Sequence, residues 1–150
     1  MSDFMLESLM ESEARVRKHV RSRVPADMLF AFDLVENLDL SVNDAGVLFE
    51  QDSDFYLFEI AYDSTGRAGP GMNSPGRAWA TLDLALYTKQ PRDKVKFGLA
   101  LEAVANWFQN KTVDGMRFRT YLPTSTVPMH GFTSYNGVIN FQFEIVQTGS

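Results

Sequence analysis

Glu59 and Asp83 are the residues of this chain best placed for acid–base chemistry. Each carboxylate lies in the middle of a predicted strand, and the two strands follow one another along the chain. If the strands pair as a hairpin, repulsion between the side chains raises one pKa, as general acid–base catalysis requires. An acidic exposed face, or the acidic wall of a channel, explains the same pair more simply.

Histidine and cysteine provide little support for metal or nucleophilic chemistry. The histidines are His19, in a basic helical segment, and His130, in a loop rich in proline and glycine. Neither is followed by a second histidine at the spacing of a zinc site. The sequence contains no cysteine, which excludes disulfides and thiolate ligands. We therefore expect no catalytic residues, no metal and no cofactor.

The glycines between the two predicted strands do not match a nucleotide-binding motif. The loop Ser64–Gly76 breaks the G-x-G-x-x-G spacing at Arg67-Ala68, and no Gly-Lys-Ser or Gly-Lys-Thr occurs in the sequence. A loop of this length is either unstructured or ordered by a neighbouring subunit or partner.

The element at the start of the chain is predicted to be a helix. A helix that is capped at Ser2-Asp3 and ended by Pro25 is indicated by one apolar stripe, which consists of Leu6, Leu9, Met10, Val16, Val20 and Val24. Acids crowd its first half and bases its second, which suits the helix dipole, and Glu13 with Arg17 forms an i,i+4 pair. Because charges interrupt the apolar residues, we do not expect a signal peptide.

The middle of the chain is predicted to form strands. Met28–Phe32 and Val47–Glu50 indicate short strands on either side of an acidic loop over Glu36–Gly46. Phe55–Asp63 and Arg77–Lys89 have apolar residues on both faces, which is typical of central strands. In the second of these, we expect the leucine side to meet helices and the mixed aromatic and polar side to face a partner or a wet cavity.

The second half of the chain predicts one helix and two further strands. Pro91–Asn110 has the periodicity of an amphipathic helix. Its core-facing stripe consists of Phe97, Leu101, Val104 and Phe108, broadened by Val95, Leu99, Ala103 and Trp107. The predicted strands are Val113–Tyr121, which begins with a turn at Asp114-Gly115, and Gly137–Gln147. Between them we expect a loop over Pro123–Gly131 and a turn at Asn136-Gly137.

This order of elements predicts one α+β domain over residues 1–150. We expect a mainly antiparallel sheet, an N-terminal helix and one long helix packed on one face, and a long hairpin loop. The net charge of −5 and the pI of about 5.0 argue against a protein that holds nucleic-acid phosphates. An acidic channel would still let DNA pass. No segment reaches the roughly 20 apolar residues of a membrane span.

In its element order the chain resembles the tail-terminator proteins of long-tailed bacteriophages, together with the related tail-completion and neck proteins. The resemblance spans roughly residues 4 to 147. It is carried by the basic N-terminal helix, by Phe55–Ile60 before the glycine-rich loop, and by Ala80–Tyr87 before a proline and a helix. Val113–Phe118, a loop rich in proline and threonine, and Ile139–Val146 complete it.

The resemblance implies a ring, usually hexameric, that caps the tail tube, stops its growth and offers its other face to the head connector. The expected partners are other copies of the chain, the tail tube protein and the head–tail connector or neck protein. DNA is expected to pass through the channel without specific binding. The expected location is the tail or neck of a virion that is assembled in the host cytoplasm, without a membrane.

The resemblance implies contacts with neighbouring subunits in two regions, Ser64–Gly76 and Leu122–Ser134. Aromatic and arginine residues expected outside the core add candidates beyond those regions. The set consists of Arg67, Pro70, Met72, Arg77, Trp79, Arg117, Arg119, His130 and Phe132. Arg117 and Arg119 share one strand face and are expected to pair with the acidic face, within or between subunits.

Two other functions remain open from the sequence. One is a different structural role in the phage, as a tail tube or head-completion protein. The other is a small-ligand-binding domain or an enzyme, in which a curved sheet backed by a helix encloses a pocket. Glu59, Asp83 and His130 would supply the polar groups of that pocket.

Overall fold

The structure, a computed structural model, describes residues 5–6, 8–32, 53–67, 76–129 and 131–145. Two helices, α1 (Leu9–Arg23) and α2 (Lys94–Ala105), accompany a strand-rich, curled sheet. The strands are β1 (Met5–Leu6), β2 (Phe30–Phe32), β3 (Phe55–Arg67), β4 (Gly76–Thr88), β5 (Thr112–Val113), β6 (Met116–Phe118), β7 (Leu122–Met129) and β8 (Phe132–Ile145). The predicted class, α+β with mainly sheet, is confirmed.

Strand β8 organises the sheet because it is paired on both sides. On one side it runs antiparallel to β4 from Thr133, which pairs with Thr88, to Ile145, which pairs with Gly76. On the other side it pairs in turn with β7, β6 and β1. The strand order is β2-β3-β4-β8-β6-β5, and the parallel pairs are β2 with β3 and β1 with β8.

Alternation along β4 and β8 separates a helix side of the sheet from an opposite side. The residues of these strands on the helix side are Ala78, Ala80, Leu82, Leu84, Leu86, Ile139, Phe141 and Phe143, and all are buried. They share one apolar core with Val16 and Val20 of α1 and with Phe97 and Leu101 of α2. The prediction that the leucine side of β4 meets the helices is therefore confirmed.

The N-terminal helix begins later than predicted. Leu6 lies in β1 beside β8 and is fully buried, so the chain is still extended at that position. Helix α1 starts after Ser8, whose hydroxyl accepts a hydrogen bond from the Glu11 N–H at 3.2 Å. The predicted cap at Ser2-Asp3 is thus wrong, whereas the Glu13–Arg17 pair is confirmed at 3.8 Å.

The hairpin of β3 and β4 is longer than predicted, and its loop is correspondingly shorter. Pairing continues from Phe55 with Tyr87 to Arg67 with Gly76, across a register shift between Tyr62 and Ser64. Backbone hydrogen bonding extends the ladder through this polar segment, which carries no apolar alternation. What remains of the predicted loop, residues 68–75, lies outside the described residues, as do the loop and strand predicted between residues 36 and 50.

Two predictions near the C-terminus are wrong. Pro123–Gly131 is not a loop, since Leu122–Met129 forms β7 and pairs antiparallel with β8. Asn136-Gly137 is not a turn, because both residues lie inside β8. Strand β7 can contain prolines because, within the described residues, it is an edge strand that pairs with β8 alone. A residue of an edge strand does not need an N–H that would point away from the sheet.

Two boundaries in the second half also differ from the prediction. The segment Val113–Tyr121 is not one strand, because β5 and β6 form a hairpin around Asp114 (φ 46°) and Gly115 (φ 85°). Two positive φ angles are typical of a type I′ turn. Helix α2 is shorter than Pro91–Asn110, since the Asp93 carboxylate caps it by accepting from the Lys96 N–H at 3.0 Å.

Gly137 is required where the ring of Tyr121, between β6 and β7, lies against β8. A Cβ atom built on Gly137 would overlap the ring of Tyr121. That ring is only 8% exposed, so its neighbours restrict any movement that would make room. Within the described residues, no helix is long and apolar enough to span a membrane.

Replacing Gly137 with alanine is expected to lower the free energy of unfolding by roughly 1–3 kcal/mol, because the new methyl group overpacks against Tyr121. Gly98→Ala is the matched control, since nothing lies within 4 Å of its Cβ position on α2. That change is expected to stabilise by up to about 1 kcal/mol through helix propensity. Urea denaturation of both variants measures the difference, and equal midpoints for Gly137→Ala and the wild type would contradict it.

Candidate functional site

A polar surface covers the side of the sheet opposite the helices. This polar sheet face consists of Glu59, Asp63, Arg77, Trp79, Thr81, Asp83, Arg117, Arg119, Asn140, Gln142 and Glu144. Strand register brings its members side by side, with Trp79 opposite Gln142 and Thr81 opposite Asn140. The Thr81 hydroxyl lies 3.0 Å from Asp63 Oδ2 and 2.9 Å from Asn140 Oδ1, so it can donate to either neighbour.

Four of the predicted contact residues meet on the polar sheet face. Arg77 and Trp79 come from β4, and Arg117 comes from β6. Arg119 follows β6, and its backbone N–H donates to the Asn140 carbonyl at 2.8 Å, which keeps it beside β8. The sequence predicted these residues as contacts and placed Arg117 and Arg119 on one strand face, but only strand pairing shows that all four share one surface.

The other predicted contact residues are placed differently. Arg67 is the last residue of β3, while Pro70, Met72 and His130 lie outside the described residues. Phe132 was expected to be available to a neighbour, but it is only 2% exposed. Its ring packs inside the domain, against the ring of Phe55 at the start of β3.

A second apolar cluster, which the sequence analysis missed, buries Phe132. Phe55 stacks on Tyr87 with ring centroids 4.9 Å apart and meets Phe132 edge-on at 5.5 Å. The Lys89 ammonium lies 4.9 Å from the centre of the Phe132 ring. Phe55 and Tyr87 sit on the same strand faces as Glu59 and Asp83, so this side of the sheet is apolar at one end and polar at the other.

Glu59 and Asp83 are cross-strand partners, as the hairpin hypothesis requires. The pKa of the Asp83 carboxyl is raised, first by burial and then by the negative charge of Asp63. The pKa of one carboxyl of the pair, Asp83, is therefore shifted in the predicted direction. The proposed cause was wrong, because the neighbouring charge that raises this pKa is that of Asp63.

The two outer margins of the polar sheet face carry opposite charges. Glu59 and Asp63 lie on β3, and Arg117 and Arg119 lie on or just after β6. Strands β4 and β8 separate these two margins. Among the described residues, Arg77 forms an ion pair with Glu144 at 3.7 Å, whereas Arg117 and Arg119 form none.

Two open hollows lie on the polar sheet face. One, of about 320 Å³, has Asp63 and Arg119 among its walls and Trp79 in its lining. The other, of about 370 Å³, lies between Arg77 and Arg117. Gln142 borders both, so the hollows are adjacent along β8.

A separate surface lies on the opposite side of the sheet. This α2–β7 groove has a volume of about 470 Å³ and is lined by Val95, Gly98 and Leu99 of α2 and by residues 123–126 of β7. Val95 and Leu99 are 72% and 60% exposed, so the prediction that they broaden the core stripe is wrong. Each is two residues from Phe97, a rotation of about 200° around the helix axis.

His19 has a structural environment. Its Nε2 atom lies 2.9 Å from the Trp107 carbonyl oxygen, and its ring centroid lies 4.8 Å from that of Phe108. These contacts join α1 to the segment that follows α2. In the part of the chain that the structure describes, no three His, Cys, Asp or Glu side chains come together as a metal site.

Comparisons with known proteins do not identify the chain. No protein-family model matches it, and no curated protein matches its sequence. One solved chain without a descriptive name is similar, with 11% sequence identity and a TM-score of 0.46. The alignment covers 95% of this chain and 98% of that one. A likeness of this level supports no inference about function.

Asp83→Asn is expected to raise the free energy of unfolding at neutral pH, because the raised pKa of Asp83 means that folding disfavours its charged form. In the wild type, the charged Asp83 lowers the free energy of unfolding. This loss of stability develops as the pH rises from the ordinary pKa of 3.8 to the raised pKa of the folded state, and it stays constant at higher pH. Below pH 3.8 the advantage of the variant should therefore vanish.

Urea denaturation at pH 7 and near the acid limit of the fold measures this difference. Asp27→Asn, which neutralises an exposed carboxylate, is the matched control. Its free energy of unfolding should stay close to that of the wild type at both pH values. A loss of stability in Asp83→Asn at pH 7 would show that the carboxylate stabilises the sheet instead.

Proposed function

We propose that this chain is a structural protein of a long-tailed bacteriophage, acting as a tail terminator. It forms a closed ring, hexameric as in the proteins that it resembles, which caps the tail tube, ends its growth and joins it to the head connector. The observation that carries this proposal is the polar sheet face, where Arg77, Trp79, Arg117 and Arg119 converge from separate segments on an open side of the sheet.

A ring places specific demands on its subunit. Each copy needs two different surfaces that match one another, because the contact between neighbours is heterologous. The polar sheet face has unlike margins, and arginine and tryptophan are enriched at the centres of protein interfaces. The α2–β7 groove adds an apolar surface on the other side of the sheet, which suits a contact with the tube or the connector.

The charge of the chain also supports a role around DNA. A net charge of −5 disfavours tight binding of phosphates, so DNA would pass through the ring without being held. As part of the same proposal we assign the protein no catalytic activity, no cofactor and no membrane association, and we place it in the tail or neck of the virion.

Negative-stain electron microscopy of the purified protein, alone and mixed with isolated tail tubes, tests the proposal. Rings of uniform diameter that sit on tube ends are expected. Long tubes formed by the protein alone would instead indicate a tail tube protein. Dispersed particles that ignore tubes would contradict a structural role. In that case the alternative is a small-ligand-binding protein, whose ligand would contact Asp63 and Arg119 in the 320 Å³ hollow.

Leu99→Asp is expected to weaken capping of tube ends by at least tenfold, because a charge in an apolar contact loses its hydration without gaining a partner. Met10→Asp is the matched control, since Met10 and Leu99 are both 60% exposed and Met10 lies on α1. Counting capped tube ends in micrographs over a protein titration measures the effect. Equal capping by the two variants would exclude the α2–β7 groove as the contact.

A further inference from the structure

We propose that adjacent copies of this chain pair through the two charged margins of the polar sheet face. Arg117 and Arg119 of one copy contact the β3 margin of the next copy, which carries Glu59 and Asp63. This inference rests on the proposed ring and names the surfaces that hold its subunits together.

Within one chain, two strands lie between the charged margins. The path from β3 to β6 crosses β4 and β8. Three strand spacings separate the margins by roughly 14 Å, since neighbouring strands lie about 4.8 Å apart. An ion pair requires the charged atoms to approach within about 4 Å. Asp63 and Arg119 border one 320 Å³ hollow, and no ion pair joins these two described residues.

Three of the four charged side chains in the two margins are accessible to another molecule. Asp63, Arg117 and Arg119 are all exposed. Between the margins lie the uncharged side chains of Thr81, Asn140 and Gln142, together with Asp83 and the Arg77–Glu144 ion pair. The surface therefore has one acidic and one basic margin, and Arg77 and Glu144 in its centre already pair with each other.

A second copy of the chain is the occupant that matches both margins. A nucleic acid would be attracted by the arginines and repelled by the carboxylates, and a basic peptide would show the reverse preference. Copies placed side by side bring the basic margin of one against the acidic margin of the next. Every copy then uses both margins, and such a head-to-tail contact can close into a ring.

The environment of Asp83 is consistent with this arrangement. Asp63 lies close enough to raise the Asp83 pKa, so the acidic side of the face carries repulsion within one chain. A guanidinium from a neighbouring copy would offset that repulsion. The contact would also weaken as salt screens the exposed charges.

Complementary charge reversal tests the proposal. The first variant carries Arg117→Glu and Arg119→Glu, and the second carries Glu59→Lys and Asp63→Lys. Each variant alone brings like charges together and is expected to remain monomeric. In an equimolar mixture every contact joins opposite charges, so assemblies with alternating subunits are expected. Native mass spectrometry distinguishes the two chains by mass and counts them in each assembly.

A matched control separates the specific contact from net charge. Lys18→Glu with Arg23→Glu changes the net charge as much as the first variant, at exposed positions of α1. This control should assemble as the wild type does. Circular dichroism melting curves establish that each variant is folded before its assembly is interpreted.

The outcomes distinguish this inference from the proposed function. If the wild type forms rings and both reversed variants do so too, the ring survives and the pairing is overturned. If folded variants stay monomeric when mixed, the pairing is likewise overturned. A mixture that yields only dimers of unlike chains would support the pairing and contradict the ring. Binding of a DNA duplex by the wild type, with loss in the first variant, would assign the arginines to nucleic acid and overturn the pairing.

Discussion

The pairing of β8 on both of its sides is the constraint on which the rest of this structure depends. Its long antiparallel ladder with β4 fixes which residues face the helices and which form the polar sheet face. A slip of one residue would exchange the two sets, placing Trp79 and Thr81 in the core. Near the middle of β8 the ring of Tyr121 fits over Gly137, and close to its end Arg77 pairs with Glu144. The charged margins of the surface keep their separation because the strands between them are held in this register.

Patterns that depend on local periodicity were readable from the sequence. Alternation predicted β4 and the inner face of β8, and the helical spacing of Phe97, Leu101 and Val104 predicted the core side of α2. The sequence did not reveal β7, because proline, serine and threonine favour loops until a partner strand offers hydrogen bonds. For the same reason Asn136-Gly137 indicated a turn, although pairing on both sides of β8 holds this segment extended.

The residues of the candidate site were predicted better than their arrangement. Arg77, Trp79, Arg117 and Arg119 were identified as contact residues from their types and strand positions. Their convergence depends on pairing between β4, β8 and β6, which are distant in the sequence. The sorting of acids to β3 and arginines to β6 is likewise a result of topology. A local sequence pattern cannot predict this arrangement. The exposure of Val95 and Leu99 is likewise not predicted by helical spacing, because it depends on which parts of α2 the rest of the fold covers.

The central claim is that this chain is a subunit of a closed assembly. Native mass spectrometry of the wild-type protein over a concentration series tests it most directly. The account predicts monomer and one larger species, whose subunit number stays fixed as the concentration rises. A ring has this property because the contact that closes it leaves no subunit with an unused interface for a further copy. A monomer at every concentration, or a ladder of species that grows without limit, would contradict the account.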